Sequence, residues 1–136
     1  MNSTRPRPPR RATIRQACDI IFDVMWSVEV EPEVEQWIES LAVREFALVL
    51  AAVERLAEGG SRLRFPASRP LGDGLFELRI DLARTARRIT FYFADDRRIV
   101  LLTTFRKQKQ NERTEVRRAR RAMRRCVAEG HAVEEE

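Results

Sequence analysis

Cysteine is scarce in this chain of 136 residues. Cys18 and Cys126 stand far apart, and neither belongs to a metal-ligand or redox spacing. They read as reduced thiols with no special role, as in a cytoplasmic protein. Long apolar runs are missing as well. None approaches the roughly 18 residues that span a bilayer, so no membrane partner is expected. The basic N-terminus is interrupted by Pro6, Pro8 and Pro9, and the apolar patch Ile20 to Met25 is short and contains Asp23. That is not the pattern of a signal peptide. There is no internal repeat, and no motif asks for a metal or a small-molecule cofactor.

Basic residues are scarce in one long stretch of the chain and acidic residues in the other. Between Gln16 and Glu58 the only basic residues are Arg44 and Arg55, against ten acidic ones. Between Ser61 and Cys126 nineteen basic residues face seven acidic ones. The net charge of +5 therefore understates a front that is acidic and a back that is strongly basic. Such asymmetry points to an anionic partner, most simply a nucleic acid.

The stretch Gly74 to Lys107 organises the rest. It holds three short runs rich in β-branched and aromatic residues, separated at Ala83 to Ala86 and at Asp95-Asp96. Breaks this short join antiparallel neighbours, so the spacing predicts a three-strand meander. Alternation then sorts the side chains. Phe76, Leu78, Ile80 and Leu82 share one face with Ile89, Phe91 and Phe93 as an apolar floor for helices. Glu77, Arg79, Asp81, Arg88, Thr90 and Tyr92 are assigned to the other face, with Arg106 and Lys107 at a strand end. Ile99 to Leu102 is apolar on both faces, as in a strand flanked on both sides.

The flanks are read in the same way. Residues 1–24 form a basic extension, Pro- and Arg-rich up to about Thr13 and so disordered, with a short helix over Ile14 to Val24. Met25 is a natural first residue for the compact domain and a possible translation start. The domain is expected over 25–128 and an acidic tail over 129–136. Trp26, Val28 and Val30 alternate with polar residues as a strand. Pro32 opens a helix with Val34, Trp37, Ile38 and Leu41 on one face. A second helix carries Phe46, Val49, Leu50, Val53 and Leu56 and ends at Gly59-Gly60. Trp37 is read as core. Ser61 to Asp73, with Pro66 and Pro70, is read as an irregular connector whose Arg62, Arg64 and Arg69 form a solvated loop or a basic rim.

The last helix is capped by Asn111 or Thr114 and runs to about Ala128. Its apolar stripe, Val116, Ala119, Met123 and Val127, is narrow enough to predict weak docking. Arg113, Arg117, Arg118, Arg121 and Arg124 are its candidate phosphate-gripping residues. The expected fold is α+β: a small, mainly antiparallel sheet with an N-terminal strand, a helix hairpin, a three-strand meander and a basic C-terminal helix.

That order resembles the RelE/ParE toxin superfamily, and within it the phage-derived HigB-like toxins of type II toxin–antitoxin systems. The residues that carry the likeness are the stretch from Trp26 to Trp37, Leu71 with Gly74-Leu75-Phe76-Glu77-Leu78-Arg79, Arg88-Ile89 with Phe91-Tyr92, and Ile99 to Leu102 with Phe105-Arg106-Lys107. Glu115-Val116 with Ala119 also fits. The resemblance implies a ribosome-dependent mRNA endonuclease, neutralised by a cognate antitoxin. It implies metal-free attack of a ribose 2′-hydroxyl on the adjacent phosphate. Arg79, Arg88, Arg106 and Lys107 match the family's basic catalytic cluster.

The sequence departs from the family at proton transfer. The last helix holds no tyrosine or histidine: Tyr92 lies inside a strand and His131 in the tail. Glu77 is a conceivable base, or else a salt-bridge partner of Arg79 or Arg88. Lys107 is a conceivable base only if its pKa were lowered, and Tyr92 reads as packed at a sheet face. Two other functions stay open. One is a ParE-like toxin acting on gyrase. The other is a non-catalytic, basic nucleic-acid-binding module.

Overall fold

Most of the strands and helices follow from a local pattern that a neighbour completes. The computed structural model describes residues 25–64 and 66–130. The expected N-terminal helix, Cys18 and His131 lie outside those residues. Strand β1 (Ser27–Val30) leads into α1 (Pro32–Glu39), whose first position is the proline, with its φ already preset for a helix. Helix α2 (Val43–Gly59) follows, then a 3-10 turn (Gly60–Arg62). Next come β2 (Ser68–Gly72), β3 (Leu75–Leu82), β4 (Thr85–Ala94), β5 (Arg98–Arg106) and α3 (Glu112–Ala128). The sheet order is β1-β5-β4-β3-β2, with β1 parallel to β5 and every other pair antiparallel.

The hairpin of α1 and α2 covers the apolar floor as the alternation predicts. Val34, Ile38, Val49, Val53 and Leu56 pack on Leu78, Ile80, Ile89, Phe91 and Phe93. Phe76, Phe91 and Phe93 meet pairwise with ring centroids 5.2–5.6 Å apart. Trp37 is packed against this core, and the Arg87 guanidinium lies 4.5 Å over its ring. Phe46 departs from expectation: it is 39% exposed. The buried side chains of α2 begin only at Val49, so the first two turns leave Val43, Phe46 and Leu48 at the surface.

Two further expectations are corrected. The connector contains a strand, β2, despite Pro70. A proline is tolerated there because β2 is the sheet edge and its ladder is irregular between Pro70 and Gly72. The last helix also docks firmly. Ala119, Ala122, Met123 and Cys126, spaced i, i+3, i+4 and i+7, form a second core with Leu75, Tyr92, Val100 and Leu102. Half of the supposedly open face is therefore covered. Tyr92 is fully buried, and its hydroxyl donates to Cys126 Sγ at 3.2 Å.

A clasp joins the two layers where β1 stops. Val30 is the last β1 residue paired to β5, so β5 runs on with a bare edge from Leu102. Glu33 of α1 accepts the Thr104 N–H there at 3.0 Å. Arg118 of α3 grips both Glu33 oxygens, at 2.5 and 2.9 Å. Both side chains are more than a third exposed, so solvent screens the pair. Arg118→Ala is expected to cost about 1 kcal/mol, an effect that shrinks with added salt. Urea unfolding at two ionic strengths checks this.

Candidate functional site

The uncovered half of the second sheet face carries two rows of side chains that the strand register brings together. One row is Arg69, Glu77, Thr90 and Thr103 across β2 to β5. The next is Arg79, Arg88 and Phe105 across β3 to β5. Directly paired residues point to the same face, so the alternation in β3 and β4 leads to a real cluster. Thr90 and Thr103 share a buried hydroxyl–hydroxyl bond of 2.6 Å that fixes the floor of the first row.

Glu77 and Arg88 are the buried centre, 2% and 4% exposed. Glu77 Oε2 lies 3.6 Å from Arg88 Nε and 3.7 Å from Arg69 Nε. Arg69 Nη2 donates to Glu112 Oε2 at 2.7 Å, and Lys107 Nζ donates to Glu112 Oε1 at 2.7 Å. The charges thus alternate in a chain: Arg88, Glu77, Arg69, Glu112, Lys107. Burial pushes the Glu77 carboxyl above its usual range, against the pull of Arg69 and Arg88. The Lys107 hydrogen bond holds the Glu112 carboxyl below its usual range. Burial, with Arg79 beside it, lowers Arg88 from the ordinary arginine value.

A groove of about 660 Å³ runs from this cluster between β2 and α3. Arg69, Arg113, Arg117 and Arg120 supply its charge, and Leu71 and Val116 lie along its floor. Arg120 also holds the turn after β2, donating to the carbonyls of Leu71 and Gly72 at 2.5 and 2.9 Å.

Of the residues singled out from the sequence, Glu77, Arg79, Arg88 and Lys107 come together, the last through Glu112. Glu77 forms the salt bridge to Arg88 that was one of its two readings. Arg106 is separated from the cluster. A bulge at Leu102 sets Thr90 opposite Thr103 but Phe91 opposite Leu101. The extra residue flips the alternation downstream. Arg106 therefore pairs with Arg87 on the helix-hairpin face, not with Arg88.

The arginines of α3 divide as well. Arg113 and Arg117 line the groove, and Arg118 serves the clasp to Glu33. Arg121 lines a separate cleft of about 320 Å³ with Glu31 and Glu33, and Arg124 borders a shallow depression near Met123 and Val127. The residues missed as members of the site are Glu112 and Arg69, the latter expected only in a rim. Ser68–Gly72 reads Ser-Arg-Pro-Leu-Gly, with no alternation to single out Arg69.

Among the described residues no group of three or more His, Cys, Asp or Glu side chains is placed to hold a metal. Among those residues, too, no helix is long and apolar enough to cross a membrane. No curated protein matches the chain. The profile of the family described as phage-derived protein, Gp49-like, matches residues 36–127, from within α1 almost to the end of α3. The match thus includes every strand but β1, and every residue of the cluster and the groove. On that evidence the chain belongs to the phage-derived Gp49-like family, a family of RelE-like toxins of toxin–antitoxin systems.

Proposed function

We propose that this chain is the toxin of a toxin–antitoxin pair and that it cleaves mRNA on the ribosome. The observation that carries the reading is the opening of a basic groove onto a cationic cluster. A single RNA strand is a line of phosphates, and Arg113 and Arg117 offer it a track. Arg79 and Lys107 stand at the end of that track, where a scissile phosphate would lie, with the buried Arg88 behind them. There the ribose 2′-oxygen bonds to phosphorus while the bond from phosphorus to the 5′-oxygen breaks, which leaves a 2′,3′-cyclic phosphate on one fragment and, with a proton taken from water, a 5′-hydroxyl on the other. The cations stabilise the charge that develops on the phosphate oxygens. Glu77 takes the 2′-hydroxyl proton. Burial pushes its carboxyl above the usual range, which makes the carboxylate a stronger base than an exposed one. It becomes reachable when Arg69, 43% exposed, swings aside. The antitoxin is read as an acidic segment laid over the exposed arginines of α3.

A second reading, a binding module that never cuts, is favoured by the burial of two groups that could move a proton. Glu77 is 2% exposed, and Tyr92 is sealed beneath α3.

The test is induced expression in a bacterial host, alone and with the neighbouring gene, following growth and mapping mRNA 5′ ends against reading frames. Growth arrest with new in-frame cuts, relieved by the neighbour, is expected. Arg79→Ala, at a half-buried position outside the Glu77–Arg88 pair, should reduce the cuts at least about 100-fold with the fold intact. Arrest without cuts would move the target to a protein. No arrest at a verified protein level would leave the binding module.

A further inference from the structure

Glu112 is held as a bound anion is held. Its two carboxylate oxygens are gripped separately, one by Arg69 Nη2 and one by Lys107 Nζ, each at 2.7 Å. The three groups come from three elements: β2, the segment after β5, and the first position of α3. None of them is sealed. Their side chains are 43%, 32% and 30% exposed for Arg69, Lys107 and Glu112. The groove between β2 and α3 is lined by Arg69 and Glu112 and opens onto the clamp.

A two-point clamp of one guanidinium and one ammonium suits any anion that presents two oxygens side by side. A carboxylate does so, and so do the two non-bridging oxygens of a phosphodiester. The carboxylate gains further from its position in the first turn of α3, where the helix dipole favours negative charge. The clamp is one link of the charge chain that continues through Glu77 to Arg88, so an anion leaving it or entering it changes the partner of Arg69.

We propose that Arg69 and Lys107 form a phosphate subsite that the chain fills with its own Glu112 carboxylate, so that an RNA phosphate enters by displacing Glu112. The proposal rests on the reading of the groove as an RNA track, and it deepens that reading by naming what stands in the way. Glu112 is then a positioning and competing residue rather than a catalytic one. In the free protein it keeps the two cations aligned and neutralised. On binding it gives them up to the incoming strand.

The experiment uses the full chain and a fluorescent single-stranded oligonucleotide with 2′-O-methyl riboses, which lacks the attacking hydroxyl. Glu112→Gln keeps the shape of the side chain and removes its charge. It should tighten binding about tenfold and steepen the dependence of log K on log salt by about 0.7, the share of one more phosphate on a single strand. Asp73→Asn removes the same charge outside the clamp, 3.8 Å from the groove residue Arg120, and should change affinity no more than about twofold. Adding Arg69→Ala to Glu112→Gln should erase the gain. Unfolding midpoints show that each variant is folded.

Equal affinity of Glu112→Gln and wild type, or a gain no larger than that of Asp73→Asn, would overturn the proposal while leaving the groove as an RNA track. An oligonucleotide that binds no form of the protein would remove that track. Inorganic phosphate then decides the clamp by itself. Shifts of the Lys107 side-chain signal in Glu112→Gln but not in wild type support the subsite, and no shift in either removes it.

Discussion

Arg88→Ala is expected to destabilise the protein by about 3 kcal/mol and to weaken growth arrest by lowering the amount of folded protein. The Arg88 side chain is 5% exposed and its partner Glu77 is 3% exposed. Breaking a buried ion pair by removing one member strands the other charge, at a cost of about 3–5 kcal/mol. The low end applies because Arg69 remains beside Glu77 and because Glu77 can shed its charge by taking a proton. That gives the effect a pH dependence with a definite sign. Burial already raises the folded-state pKa of Glu77 above its model-compound value of 4.5. The protonated form fits the fold, so the stabilisation from protonation is complete below pH 4.5 and is lost as pH rises through the folded pKa. Losing Arg88 raises that pKa further. The destabilisation of Arg88→Ala should therefore be small in acid and grow toward neutral pH. Urea denaturation between pH 4 and pH 7 measures it, and a loss independent of pH would contradict the account. Arg88→Met combined with Glu77→Leu removes both charges and fills the space. That pair should regain most of the stability without regaining growth arrest.

Gly60→Ala should be as damaging although it lies far from the cluster. Gly60 ends α2 at φ +53°, and a Cβ there would sit 2.1 Å from Trp26 Nε1. The indole has nowhere to go, because its ring packs on Phe93 at 4.9 Å and lies under Arg97. Backbone strain and overpacking each cost on the order of 1–3 kcal/mol, so a total of about 3–4 kcal/mol is expected. Gly130→Ala is the control. It has φ +108° with nothing within 4 Å of the added carbon, and should show only the strain, about 1 kcal/mol. Tryptophan fluorescence during urea unfolding reads both. Equal effects of the two substitutions would mean that the Trp26 contact carries none of the loss.

The meander and its faces were legible because both depend on local alternation. Phe76, Leu78 and Ile80 point one way and Glu77 and Arg79 the other whatever the rest of the chain does. Three features resisted for physical reasons. Strand β2 was hidden by Pro70, whose missing N–H matters in a sheet interior but not at an edge. The stripe of α3 was underestimated because Ala122 and Cys126 are small, and small residues contribute by letting the helix approach closely. Arg106 was misplaced because a single bulge residue, Leu102, inverts everything after it, and nothing local marks it. The candidate site was half legible. Glu77, Arg79 and Arg88 follow from parity, while Arg69 and Glu112 join only through contacts between elements distant in the chain.

The parallel pairing of β1 with β5 sets an order of assembly. Ser27 aligns with Arg98 and Val30 with Leu101, so β1 waits until β5 has been made before it can find its ladder. Contacts of such high sequence separation form slowly. The clamp of Arg69, Lys107 and Glu112 waits longer still, since its last member belongs to α3. A chain leaving the ribosome that made it therefore carries neither a closed sheet nor a complete cationic site. Under the mRNA-cleaving reading proposed above, the synthesising ribosome is spared until its product is released, and an antitoxin that meets the nascent chain finds the helix hairpin before the cationic site.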